Sequence, residues 1–127
     1  LSLSPSLPHS LPLNSMNRRQ QAYFSENAKF ADNLKDLGFS MRWETPNYVY
    51  KIVLQSNPQS VMNVAQAKHK GLKNHIGLLY ETKVNENKII IKKVCGTSHS
   101  MSKLPLIPKL SKNSPTSEDI ECPPGFK

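Results

Sequence analysis

The residues of this chain best suited to chemistry are its soft ligands: Cys95, His99 and Cys122, with His69 and His75. Together they offer every soft ligand that a zinc site needs, and a cysteine beside a histidine is also how a thiolate nucleophile is made. The spacing argues against both uses. Structural zinc sites are assembled from close pairs such as Cys-x2-Cys, and here Cys95-x3-His99 stands alone. No glycine-rich phosphate loop, no signature around Cys95 and no paired carboxylates accompany it. The expectation is a protein that is not an enzyme, with no catalytic residue, no metal and no cofactor, in which His69 and His75 are loop residues flanking Gly71. Two cysteines remain to be explained. In an exported protein they predict one disulfide; in the cytosol they would be two thiols.

A second pattern interleaves aromatic and basic residues. Tyr23, Phe24, Tyr48, Tyr50 and Tyr80, with Arg18, Arg19, Arg42, Lys51, Lys68, Lys70 and Lys73, are the residue types of a stacking surface for single-stranded nucleic acid. Tyr48 and Tyr50 share a strand face with Ile52 and Leu54, however, which predicts rings in the core and hydroxyls at its rim. The basic run Lys68-His69-Lys70-Gly71-Leu72-Lys73 is the better candidate for binding DNA or an acidic polysaccharide, through Lys68, Lys70 and Lys73. The net charge of the 127 residues is +8, and residues 15–95 hold 13 Lys and Arg against 6 Asp and Glu. Such an excess favours anionic partners. The commoner meaning of such an excess is the ordinary solvated face of Lys-rich strands and loops, which keeps sheet edges from associating.

These residues must be positioned by a small set of elements. Ser15 to Ala31, SMNRRQQAYFSENAKFA, is the one stretch whose apolar residues recur at helical spacing, with Met16, Tyr23 and Phe30 seven residues apart and Arg18, Arg19, Glu26 and Lys29 mostly opposite. Asn14 or Ser15 can cap it, and its length corresponds to roughly 25 Å of helix. Residues 1–14 carry three prolines in a Ser-Leu-Pro texture and read as a disordered or remnant segment. Leu34, Leu37 and Gly38 belong to a connecting loop, and Phe39, Met41 and Trp43 alternate briefly before Pro46.

Asn47–Leu54 is the strongest strand, Ser60–Ala67 alternates again, and His75–Thr82 and Lys88–Cys95 flank an Asn-Glu-Asn turn that predicts an antiparallel hairpin. From Gly96 the chain turns to Ser, Pro and Lys, a tail that cannot be a sheet interior although Leu104, Leu106, Ile107 and Leu110 can dock. The fold class is therefore α+β: one amphipathic helix, holding Met16, Tyr23 and Phe30 against Tyr48, Tyr50 and Ile52, on an antiparallel meander of about four strands. The domain expected is 15–95, with 96–127 as its tail. No run approaches the roughly 20 apolar residues of a membrane span and no secretory signal is visible. A first residue of Leu suggests an incomplete or processed N-terminus.

Several of these blocks, in order, resemble the soluble domain of cyanobacterial type IV pilin-like proteins of the pilin G and H type: SMNRRQQAYFSENAKFA followed by LGF, ETPNYVYKI, GLKNHIGLLYET and IIIKKVC. The resemblance implies a pilin fold and a structural subunit, major or minor, of a type IV pilus or related secretion pseudopilus. Surface adhesion, motility or uptake is the implied role, at the cell surface or outside the cell, with the periplasm as the other location. Its partners would be other pilin subunits, given an apolar anchor upstream, which residues 1–14 do not supply. The resemblance also makes Cys95 and Cys122 look like the pair that closes the C-terminal region of many pilins. Closing about 28 residues in this way is worth about 3.5 kcal/mol in the chain-entropy model. The alternative function is a binding module for extracellular DNA or anionic polymer through the 68–73 loop.

Overall fold

Pro12 belongs to the Ser-Leu-Pro stretch expected to prevent helix, yet it lies in the first turn of one. The computed structural model describes residues 10–38, 44–56, 59–97, 103–110 and 115–127, and its helix α1 spans Ser10–Asn27. A proline in a first turn removes an N–H that would have no intrahelical partner, so helix can form around it. Residues 10–14 thus open the helix instead of preceding it. Residues 1–9, and the alternating run at Phe39, Met41 and Trp43, lie outside the described residues; of that run's flank, Glu44 forms an isolated bridge to Val49.

The helix also stops earlier than Ala31. Ala28 has a left-handed φ of 59° and donates its N–H to the Phe24 carbonyl at 2.8 Å, a helix-ending geometry usually given to glycine. The chain then doubles back, and the Phe30 ring lies 4.7 Å from that of Phe24.

Strands β1 (Tyr48–Gln55), β2 (Ser60–Ala67), β3 (Asn74–Val84) and β4 (Asn87–Thr97) make one sheet in chain order, antiparallel at every step. Aromatic and β-branched residues favour the pleated conformation along β1, β3 and β4. The β3–β4 hairpin closes through Asn85 and Glu86, whose φ values of 50° and 68° give the two left-handed residues that a tight turn needs to match strand twist. The predicted α+β architecture, one N-terminal helix on a four-stranded antiparallel sheet, is the one observed.

Register sorts the side chains onto two faces. Tyr50 pairs with Ala65, Ile52 with Asn63 and Asn63 with Gly77, placing these residues under the helix. On that face Leu13, Met16 and Leu34 pack with Tyr48, Tyr50 and Ala65, while Phe24 and Phe30 pack with Val61 and Leu79. The other face carries Met62, Val64, Ile76, Leu78, Tyr80, Ile91 and Cys95, and the tail covers it with Ile107 and Ile120, flanked by Leu104, Leu110 and Phe126. The tail, expected at most to dock, is a second layer. A short 3₁₀ turn at Ser117–Asp119 holds its acidic stretch.

Candidate assembly surfaces

The helix face against the sheet is not the one that sevenfold spacing suggested. Leu13, Met16, Asn17, Gln20 and Phe24 are buried, while Tyr23 is only half-buried and Phe30 is buried from beyond the helix end. The reason is geometric: at about 100° per residue, Leu13, Met16, Asn17, Gln20 and Phe24 centre the inner face near Gln20, roughly 55° round from Met16, so Met16 sits at one edge of that face and Tyr23 falls just beyond it. Of the residues expected to join helix to sheet, Met16, Tyr48 and Tyr50 meet in one cluster, with Ile52 at its edge. The Tyr48 hydroxyl donates to the Lys73 carbonyl at 2.9 Å. Burial raises the ionisation of both Tyr48 and Tyr50 above the usual phenol range.

At the centre of this face is a polar contact that an apolar-stripe argument could not find. Asn63 Nδ2 on β2 donates to Asn17 Oδ1 at 2.7 Å, and Gln20 Nε2 donates to the Ala31 carbonyl at 2.8 Å while Gln20 Oε1 accepts from the Ala31 N–H at 2.9 Å. Gln20 Nε2 also lies 3.4 Å from Asn63 Oδ1. One amide side chain therefore satisfies both backbone groups of Ala31, as a neighbouring strand would, and fastens the returning chain to the helix. Space for this comes from Gly77: a Cβ there would sit 2.3 Å from Asn17 Oδ1. The sequence did carry a signal, since a glycine inside an apolar strand marks close approach and Asn17 and Gln20 interrupt an otherwise apolar Leu13-Met16-Phe24 ladder.

On the opposite face Cys95 and Cys122 form a disulfide with a Cα–Cα distance of 5.9 Å. Neither sulfur is then available as a nucleophile or a metal ligand. His69 Nε2 lies 2.9 Å from the Pro46 carbonyl, and no cluster of three metal-ligating side chains occurs among the described residues, outside which His99 falls. The tail is also fastened by hydrogen bonds. Tyr80 donates to the Pro108 carbonyl at 2.6 Å, Lys93 Nζ donates to the Ile120 carbonyl at 2.9 Å, and Gly96 and Lys127 exchange both backbone bonds at 2.9 Å. Tyr80 is 2 % exposed, and its burial pushes the phenol up to about 12.

The basic loop is divided by the fold. Lys68 forms an ion pair with Glu44 and donates to the Thr45 carbonyl at 3.1 Å, and its hydrogen bond to Glu44, aided by its charge, holds that carboxyl below the usual range. Lys70 and Lys73 are exposed. A different basic surface lies where the helix meets the edge strand: a cleft of about 450 Å³ lined by Asn14, Asn17, Arg18, Lys92, Lys93 and Val94.

Among the described residues no nucleophile, base and substrate cavity come together; they form a sheet with two covered faces and charged flanks. Among the described residues no helix is long and apolar enough to cross a membrane. No curated protein and no solved structure matches the chain. A family model does match, over residues 11–123, which is nearly the whole chain and includes the helix, all four strands and the cross-linked tail. The chain belongs to the type IV pilin-like G and H family, whose members are structural subunits.

Proposed function

We infer that this chain is the displayed domain of a subunit, major or minor, of a cyanobacterial type IV pilus or related secretion pseudopilus, acting at the cell surface in adhesion, motility or uptake. It works by packing and presentation, without turnover. The observation that carries this reading is the helix locked on the sheet by the Asn17–Asn63–Gln20 contact, in a chain matched by the family over residues 11–123. A subunit that transmits force needs its helix and sheet to move as one body, and hydrogen-bonded register provides that. Its partners are other pilin subunits.

The test is recovery of the chain, tagged in its own coding region, from filaments sheared off the cell surface. Co-purification with other pilin subunits is expected; confinement of the tagged chain to the soluble fraction overturns the reading. The second reading, capture of extracellular DNA or an acidic polysaccharide at the 68–73 loop, draws on the exposure of Lys70 and Lys73, with Lys68 already committed to Glu44. Its mark would be affinity that falls steeply with salt and vanishes in a Lys70→Glu, Lys73→Glu variant.

A further inference from the structure

The cleft between α1 and β4 is electrostatically one-sided. Its lining includes Arg18, Lys92 and Lys93 with two asparagines and Val94, and no carboxylate. Lys93 is partly spent on the Ile120 carbonyl, and Lys92 Nζ reaches Gln21 Oε1 at 3.1 Å, which holds that ammonium on the helix side of the sheet. Val94, 43 % exposed, gives the cleft an apolar floor.

The complementary surface is in the same chain. The segment Ser117–Glu121 carries Glu118, Asp119 and Glu121 and no cation. It is rigid: Asp119 Oδ2 accepts from the Thr116 N–H at 2.7 Å and from its hydroxyl at 3.2 Å, and Ser117 Oγ accepts from the Lys92 N–H at 3.1 Å. Glu118 and Glu121 are exposed. The ion pairs among the described residues join Lys68 to Glu44 and Lys88 to Glu81, so neither glutamate meets a described cation within 4.0 Å. Ile120, between them, is buried on the tail-covered face, whereas the cleft opens beside the helix. The basic cleft and the acidic turn thus flank the same edge strand from opposite sides.

We propose that the α1–β4 cleft receives the acidic Ser117–Glu121 turn of a second copy of this chain, Glu118 and Glu121 pairing with Arg18 and Lys92. This rests on the subunit reading and adds the surface and the partner. Because cleft and turn are different patches, the contact is head to tail, and a head-to-tail contact repeats along a filament instead of closing a two-fold dimer. Exposed ion pairs are individually weak. They suffice where neighbours are already held at millimolar effective concentration by a common filament.

The experiment uses the full chain with two double variants, Arg18→Glu with Lys92→Glu and Glu118→Lys with Glu121→Lys. Self-association is read by sedimentation velocity at high protein concentration and at low and high salt, and circular dichroism checks folding. The unsubstituted chain should associate weakly at low salt and less at high salt. Each double variant should associate about tenfold less well, and an equimolar mixture of the two should recover association. Absence of self-association in the unsubstituted chain, variants that associate unchanged, or a mixture that fails to recover overturns the proposal. So does a cleft variant that loses affinity for added polyphosphate or duplex DNA while the acidic variant behaves as the parent, because the cleft would then serve a foreign polyanion. If Arg18→Glu with Lys92→Glu perturbs the fold, Arg18→Gln with Lys92→Gln takes its place. A cleft variant still recovered from sheared filaments at the parental level sinks the contact and leaves the subunit reading standing.

Discussion

The two faces of the sheet are held by different means. Under the helix the central contact is polar, built from Asn17, Gln20 and Asn63 around Gly77; under the tail it is apolar, built from Ile107, Ile120 and Tyr80 and closed by the Cys95–Cys122 disulfide. Hydrogen bonds are directional, so the helix face specifies one register. Burial is not directional, and a proline-rich tail has little backbone pairing of its own, so that face relies on a covalent link. Geometry fixes the first face and chain connectivity the second.

Removing the link is the strongest way to break this comparison. Cys95→Ser with Cys122→Ser should cost about 3.5 kcal/mol in the chain-entropy account, read by urea denaturation. Hydrogen exchange should quicken at Ile107, Ile120 and Lys127 while Ala31 and the helix stay protected. Equal quickening beneath the helix would show that the faces are not independent. Next in size is Gly77→Ala. The added Cβ would meet Asn17 Oδ1, Nδ2 and Cγ at 2.3, 2.4 and 2.7 Å, all atoms of a buried and hydrogen-bonded amide. Overpacking there should cost about 3 kcal/mol and shift the helix resonances, with no effect on disulfide formation.

Asn63→Ala tests the polar contact itself. It leaves the Asn17 and Gln20 amides short of a partner, and a loss of about 2 kcal/mol is expected; a neutral result would mean that the apolar residues around it set the register. The smallest effect belongs to Tyr80→Phe, which deletes the 2.6 Å bond to Pro108 and should cost about 1 kcal/mol. It also carries a pH signature. The folded phenol lies at about 12 against an ordinary value of 10, so its contribution is present below pH 10 and is lost as pH rises toward 12. The Phe variant should lack that part of the alkaline loss of stability.

Much of this was legible beforehand, and the limits have physical causes. The strands could be read because period-2 alternation and turn chemistry are local: Tyr48, Tyr50 and Ile52 declare one face, and Asn85-Glu86-Asn87 declares a hairpin. The helix could be read as an element but not in its bounds, since Pro12 is tolerated in a first turn and Ala28 adopts a left-handed conformation without being glycine. Its inner face was misjudged at Tyr23 because a pattern of apolar letters cannot show that Asn17 and Gln20 are the residues turned inward.

By itself, then, the sequence determined the class of the fold, the order and pairing of the strands, and a family likeness, because hydrophobic periodicity and turn residues act within a few positions along the chain. Only the tertiary structure decided which helix residues meet the sheet, that the tail forms a second layer, that Lys68 is committed to Glu44, and that a basic cleft and an acidic turn flank one edge strand. Each of those joins residues far apart in sequence, whose meeting depends on how the elements pack and not on what any one of them prefers.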